Sequence, residues 1–241
     1  VLPWLVRFLA AAHPRRAERN RKVLRELATH SAAMHAELER SGLDAGYRRR
    51  GLVDAYRSAE AYARAAAGSE PSTDVPEEVR AALSSDFAGL VFHPDEAHCD
   101  PLRFVRALGA WAVESGVDVR TGVEALELRR SAGRVSSLWT TAGDVVAGEV
   151  VLATGVWTGE LARSLGVQLP IQGGKGYHVD LEREPGDPDV PVWLHESRVV
   201  ITPLEDRIRL AGTLELTGRD RGVDPRRVRA IVDAASRAMP S

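Results

Sequence analysis

Apolar residues recur along the chain with two different periods, and these separate helical from extended stretches. Between residues 15 and 41, Val23, Leu27, Met34 and Leu38 fall at spacings of four and seven, which places them on one face of a helix. Ser41-Gly42 predicts its stop, because glycine tolerates the left-handed conformation at a helix end. Tyr47 to Tyr56 predicts a strand pair or an edge strand, broken at Gly51. Ser58 predicts the cap of a short alanine-rich helix ending at Gly68, and the composition of residues 68–74 predicts a loop. Pro76 to Leu83 predicts another short helix, and Leu90 to His93 a strand.

The clearest helix start is Asp100-Pro101. Aspartate can accept a hydrogen bond from a free backbone N–H there, and proline fits the first helical position. Leu102, Val105, Leu108 and Ala112 make its apolar stripe, and Gly116 ends it. Val117 to Arg120 then predicts a strand, and residues 123–148 a β-meander with turns at Ser131-Ala132-Gly133 and Thr141-Ala142-Gly143-Asp144. Four apolar residues in a row at Val150–Ala153 suit a parallel strand buried on both faces, running into an Ala-Thr-Gly turn and a helix from Thr158 to Leu165. Strands 117–120 and 150–153 are therefore expected side by side in one mainly parallel sheet, with the meander outside it. Beyond residue 165, Gly176–Leu181, Val199–Thr202 and Ile208–Ala211 predict antiparallel strands, and Asp224-Pro225 caps a last helix to about Ala238.

Composition narrows the class. With 241 residues, 44% hydrophobic and 27% charged, the chain suits one large globular domain or two small ones. A net charge of -2 gives no electrostatic reason to expect nucleic acid. No run of roughly 18 apolar residues predicts a transmembrane helix. The apolar opening Val1–Leu9 is short, is interrupted by Arg7 and has no basic region before it, so it is taken as an internal segment already inside a fold. The single cysteine, Cys99, excludes an internal disulfide and points to a reducing cytoplasm.

Several motifs suggest chemistry and then fail on spacing. Gly173-Gly174-Lys175-Gly176 lacks the glycine five positions earlier and the hydroxyl residue after the lysine that a Walker loop needs. His93, His98 and Cys99 match no tetrahedral zinc pattern, so no metal is expected. Ser197 and His195 lack the nucleophile elbow of a hydrolase. Arg15, Arg16, Arg19 and Arg21, with Glu18 and Glu26 nearby, form a solvated helix face. Arg48-Arg49-Arg50 offers either a substrate-carboxylate contact or a solvated edge, since alternate strand residues face opposite ways. Tyr56, Tyr177, His178 and His195 are either polar pocket walls or ordinary packing.

Four blocks, in order, carry a family likeness: Tyr47–Leu52; His98-Cys99-Asp100-Pro101 with its helix and Gly116-Val117; Gly122-Val123 with Val151–Trp157; and Gly173–Tyr177 followed by Pro203 and Ala211–Glu215. Together they resemble the FAD-dependent amino-acid oxidoreductases of the D-amino-acid dehydrogenase and glycine oxidase type. The resemblance implies an α/β chain that is part of a two-dinucleotide-binding FAD fold, a parallel sheet with β-meander, plus an antiparallel-sheet substrate domain. Residues 1–42 and 98–165 would belong to the FAD-binding domain, and 43–97 and 166–241 to the substrate domain. It implies FAD bordered by Val123, Ala153, Thr154, Gly155 and Trp157, and a small amino-acid substrate touched by Tyr177 and one of Arg48 and Arg50. The implied reaction oxidises a C–N bond to an imine, which water hydrolyses. The electron acceptor stays unnamed, and the setting is cytoplasmic or peripheral to the inner membrane. No G-x-G-x-x-G loop and no closing Arg-Pro or Pro-Asp-Gly segment occurs, so the expectation is a middle piece of such an enzyme, inactive alone. Two alternatives stay open: a non-catalytic structural module, and a related tRNA-modifying or thiamine-pathway flavoprotein.

Overall fold

A computed structural model describes residues 2–67 and 74–240. The predicted loop at 68–74 and the helix stop at Gly68 fall almost wholly outside these residues. The chain divides into two compact units. The first comprises residues 1–21, 112–175 and 216–221, and the second residues 22–111, 176–215 and 222–241.

The second unit is built on a six-stranded mixed sheet. Its strands are β1 (Leu52–Tyr56), β2 (Gly89–His93), β6 (Lys175–Glu182), β7 (Val192–Leu194), β8 (Val199–Pro203) and β9 (Arg207–Glu215), in the spatial order β2-β1-β7-β8-β9-β6. β1 runs parallel to β7, while the β1–β2, β7–β8 and β8–β9 pairs are antiparallel. Register sets the core. Val53 pairs with Phe92 and Val192, Val192 with Ile201, and Ile201 with Leu210, so one apolar row crosses five strands on a single face. Val53, Val192 and Ile201 are fully buried there. Helix α7 (Pro225–Ala238) covers β8 and β9 with Ile231, Ala234, Ala235 and Ala238. Val79 of α4 (Glu77–Ala82) joins the same core.

Local signals act where the sequence places them. The Asp100 carboxylate accepts from the amides of Leu102 (2.9 Å) and Arg103 (3.2 Å) at the start of α5 (Pro101–Glu114). Asp224 accepts from the Arg226 amide at 2.9 Å to start α7, and Ser58 from the Ala61 amide at 3.2 Å to start α3 (Ala59–Ala67). Helix α2 (Pro14–Arg40) ends at Gly42, whose φ is +96°.

The first unit holds helix α1 (Leu2–Ala11), the antiparallel meander β3 (Ala125–Ser131), β4 (Arg134–Thr140) and β5 (Gly143–Val146), and α6 (Thr158–Arg163). Helix α6 lies against β3, and its Leu161 and Ala162 are buried, as is Leu128 of β3.

Three expectations need correction. Residues 117–120 and 150–153 are not strands among the described residues, and Val151 is 88% exposed. An extended apolar run becomes a strand only when a neighbour completes its backbone hydrogen bonds, and no described segment does so. Strand β1 is not an edge; β2 and β7 flank it, and β7, three residues just after Pro191, carries too short a pattern to be seen beforehand. The stripe on α5 has the expected spacing, yet Leu102 and Val105 are exposed and the helix buries no residue.

Gly51 separates backbone strain from crowding. Its φ is +84°, and an added Cβ would lie 2.4 Å from Phe92 Cε2 and 2.8 Å from the His93 carbonyl. Gly42 shares the positive φ, with no atom within 4 Å. Gly51→Ala is expected to destabilise by about 2–4 kcal/mol and Gly42→Ala by about 1 kcal/mol, measured by urea unfolding. Equal losses would show that the contact with Phe92 does not matter.

Candidate functional site

The face of the mixed sheet opposite the core sets one charged residue, Asp54, among apolar neighbours. By register, Val91, Asp54, Trp193, Val200 and Ala211 form a row across it, one residue out of phase with the buried row. The Asp54 Oδ2 accepts from the Tyr56 hydroxyl at 3.2 Å and lies 3.2 Å from His93 Nε2. The Tyr56 and His195 rings meet at 4.5 Å between centroids. Burial, with the Asp54 charge and hydrogen bond behind it, pushes the Tyr56 hydroxyl up to a pKa of about 12. Asp54 Oδ1, Trp193 Nε1 and Thr213 Oγ1 are buried with no hydrogen-bond partner among the described residues. Such atoms cost free energy unless a partner arrives. At one end of this face the backbone is strained as well: Arg198 has φ +55° and Thr213 φ +56°, and they flank the paired residues Val199 and Gly212. Left-handed non-glycine residues cluster where ligands are held.

The same unit contains a cleft of about 890 Å³. Arg48 and Arg50 both line it, whereas Arg49 turns away to Asp95 at 2.6 Å. Arg48 exchanges backbone hydrogen bonds with His98, at 2.8 and 3.0 Å. Arg50 donates to Asp189 at 2.7 Å. Hydrogen bonding from Arg183, and then from Arg50, holds the Asp189 carboxyl below its ordinary pKa.

In the first unit the Ala-Thr-Gly stretch forms a tight turn. Thr154 Oγ1 and Thr158 Oγ1 are 3.0 Å apart, and the Trp157 amide donates to the Thr154 carbonyl at 3.1 Å. Gly155 has φ +54° with no atom within 4 Å of where a side chain would sit, and Trp157 is 54% exposed. The turn therefore presents open backbone beside a large aromatic ring, a surface on which a flat group can lie. Val123 sits just before β3, half-buried, where Glu124 and Thr141 exchange hydrogen bonds of 3.0 Å.

The family model described as FAD dependent oxidoreductase matches residues 6–241. The chain belongs to this family. Among its relatives, a D-amino acid dehydrogenase of Paramagnetospirillum magneticum is 34% identical over 98% of this chain and 60% of its own length. A second D-amino acid dehydrogenase, of Methylobacterium sp., is 31% identical over 89% of this chain and 55% of its own. The chain thus spans about 60% of the length of such relatives. In fold it is similar to glycine oxidase from Bacillus cereus, with a TM-score of 0.74 at 22% identity, covering 90% of this chain and 65% of that one. It is likewise similar to L-proline dehydrogenase from P. horikoshii, with a TM-score of 0.77 at 16% identity, covering 88% and 62%.

Within this chain, Ala153, Thr154, Gly155 and Trp157 come together in one turn, and Arg48 and Arg50 in one cleft. Tyr177 does not line that cleft. It belongs to the apolar core, its hydroxyl donates to Glu215, and the Asp224 amide donates to that hydroxyl at 3.2 Å. A substrate contact from Tyr177 would require that network to open. Sequence reasoning passed over Asp54, Trp193 and Arg106; the first two are visible only once register sets them side by side. Among the described residues no group of three metal-ligating side chains occurs, and no helix is long and apolar enough to cross a membrane.

The raised Tyr56 pKa has a sign. The folded state favours the protonated phenol, so the associated stability is complete below pH 10 and is lost as pH rises from 10 towards 12. Of the four tyrosines, one is expected to ionise near pH 12 in an ultraviolet titration, and Asp54→Asn should bring it back towards 10. Four tyrosines ionising together near pH 10 would contradict the Asp54 contact.

Proposed function

We propose that this protein oxidises the C–N bond of a small amino acid, a D-amino acid or a glycine-like one, to an imine that water hydrolyses to an oxo acid and ammonia. The observation that carries the reading is the open turn at Ala153–Trp157, within a chain of the FAD-dependent family. Val123, Ala153, Thr154, Gly155 and Trp157 would hold FAD there, the bare Gly155 backbone giving close approach and Trp157 an apolar wall. Bound FAD supplies the two-electron acceptor for the hydride that leaves the α-carbon.

The other tasks fall to this chain's own side chains. The sheet face around Asp54 in the second unit receives the amino acid, with Val200 and Ala211 as apolar wall. Its unpartnered Asp54, Trp193 and Thr213 atoms supply hydrogen-bonding capacity that a zwitterion can use. Arg48, with Arg50 beside it, is the candidate for a substrate carboxylate within the cleft, whose lining shares no residue with the sheet-face row. Residues 43–97 and 166–241 then act as substrate domain, and 1–42 and 98–165 as cofactor domain. A cytoplasmic setting belongs to the same proposal, supported by the single cysteine.

The test is to express the chain together with any residues that flank it in its gene. Flavin absorbance and dye reduction are then measured with a panel of D- and L-amino acids and glycine. A yellow protein reduced by D-amino acids or glycine is expected; a colourless protein inert to the whole panel would sink the reading. Gly155→Val should weaken FAD binding by roughly tenfold or more, because the new side chain meets no protein atom and takes the cofactor's space; the left-handed φ of +54° adds backbone strain of about 1–2 kcal/mol, which urea unfolding of the flavin-free protein reads separately. Unchanged flavin occupancy would remove the turn from the site.

A further inference from the structure

Six arginines line the cleft of the second unit: Arg48, Arg50, Arg103, Arg106, Arg183 and Arg207. Four of them are engaged by carboxylates of the same lining. Asp189 takes Arg50 and Arg183. Asp44 and Glu205 take Arg103, and Asp100 and Asp206 take Arg207. Those five acids are all that the lining contains. Asp100 is doubly committed, since its other oxygen caps α5 and so occupies that helix start. His98 also lines the cleft, but burial lowers its pKa, so it adds no positive charge near neutral pH.

Two arginines are left over. The Arg48 guanidinium donates only to the neighbouring Tyr47 carbonyl, at 3.0 Å. Arg106, three residues after Arg103 on α5 and lining the same cleft, has no hydrogen bond or ion pair among the described residues. A guanidinium offers a planar fork matched to carboxylate and phosphate oxygens. With the acids spent on the other four, Arg48 and Arg106 are the groups free to receive an added anion.

We infer that this cleft is an oxyanion-binding site in which Arg48 and Arg106 grip a small molecule carrying a phosphate or a pair of carboxylates. The volume suits a ligand of metabolite size. The site uses the same Arg48 as the amino-acid reading but needs neither flavin nor turnover. Its failure would therefore leave the redox reading standing, and the reverse holds too.

The test uses inorganic phosphate and succinate as probes, titrated calorimetrically into the intact protein at constant ionic strength set with chloride. Saturable binding of at least one is expected, weakened roughly tenfold by Arg48→Gln and again by Arg106→Gln, the loss of one charge-assisted contact each. Arg49→Gln, whose arginine pairs with Asp95 outside the cleft, should leave the affinity unchanged. Phosphate alone binding identifies a phosphate-bearing ligand, and succinate alone a dicarboxylate. A measurement free of variants runs beside it: either probe that binds should slow phenylglyoxal modification of Arg48 and Arg106, read by mass spectrometry, and leave Arg49 unprotected. No saturable binding of either probe, or affinity unmoved in both variants, or no protection, overturns the inference.

Discussion

The apolar row Val53–Val192–Ile201–Leu210 is the constraint on which the second unit depends. It crosses four strands in register, and Ile231 of α7 is buried in the same core. Because side chains alternate along a strand, burying this row fixes the neighbouring row on the opposite face. Asp54, Trp193, Val200 and Ala211 have no freedom to be elsewhere. A slip of one residue in β7 would carry Trp193 into the core and expose Val192. The placement of Asp54 and Trp193 on one face is thus a consequence of the packing on its reverse, and their unpartnered atoms are held in place by that core.

Charge organises the rim of the same unit. The three successive arginines at 48–50 go to three different ends: Arg48 into the cleft with no hydrogen bond to a carboxylate, Arg49 out to Asp95, and Arg50 to Asp189. Asp180 accepts from both Arg207 and Arg209, and hydrogen bonding from Arg209 is the main reason its pKa lies below the ordinary value. Most of these pairs are partly exposed, so each contributes modestly to stability. Their larger effect is selective. They occupy the acids of the cleft and leave two guanidinium groups unmatched.

Much of this was legible in the residues, and the reasons are local. The caps at Ser58, Asp100 and Asp224 work through a side chain and amides two or three positions on, so sequence alone locates them. The meander turns are equally local: Ala132, Gly133 and Gly143 all take positive φ where the turn signals predicted reversals. The apolar run at 150–153 shows the converse. Four apolar residues specify burial on both faces, but a strand is a property of a pair, and no described segment pairs with it. Strand β1 looked like an edge because Arg48–Arg50 precede it, yet its own residues Val53 and Ala55 are fully buried between two neighbours. For the site, the open turn at Gly155 was visible as small residues after an apolar run. Asp54 beside Trp193 was not, because 139 positions of sequence separate them and only β1–β7 pairing joins them.

The central claim is that one face of the mixed sheet is core and the other meets the amino acid. Chemical-shift mapping tests it most directly. With D-alanine titrated into the flavin-loaded protein, perturbations should alternate along each strand. They should mark Asp54, Trp193, Val200 and Ala211 while sparing Val53, Val192, Ile201 and Leu210. Shifts concentrated on the second set, or confined to residues outside the sheet, would contradict the account.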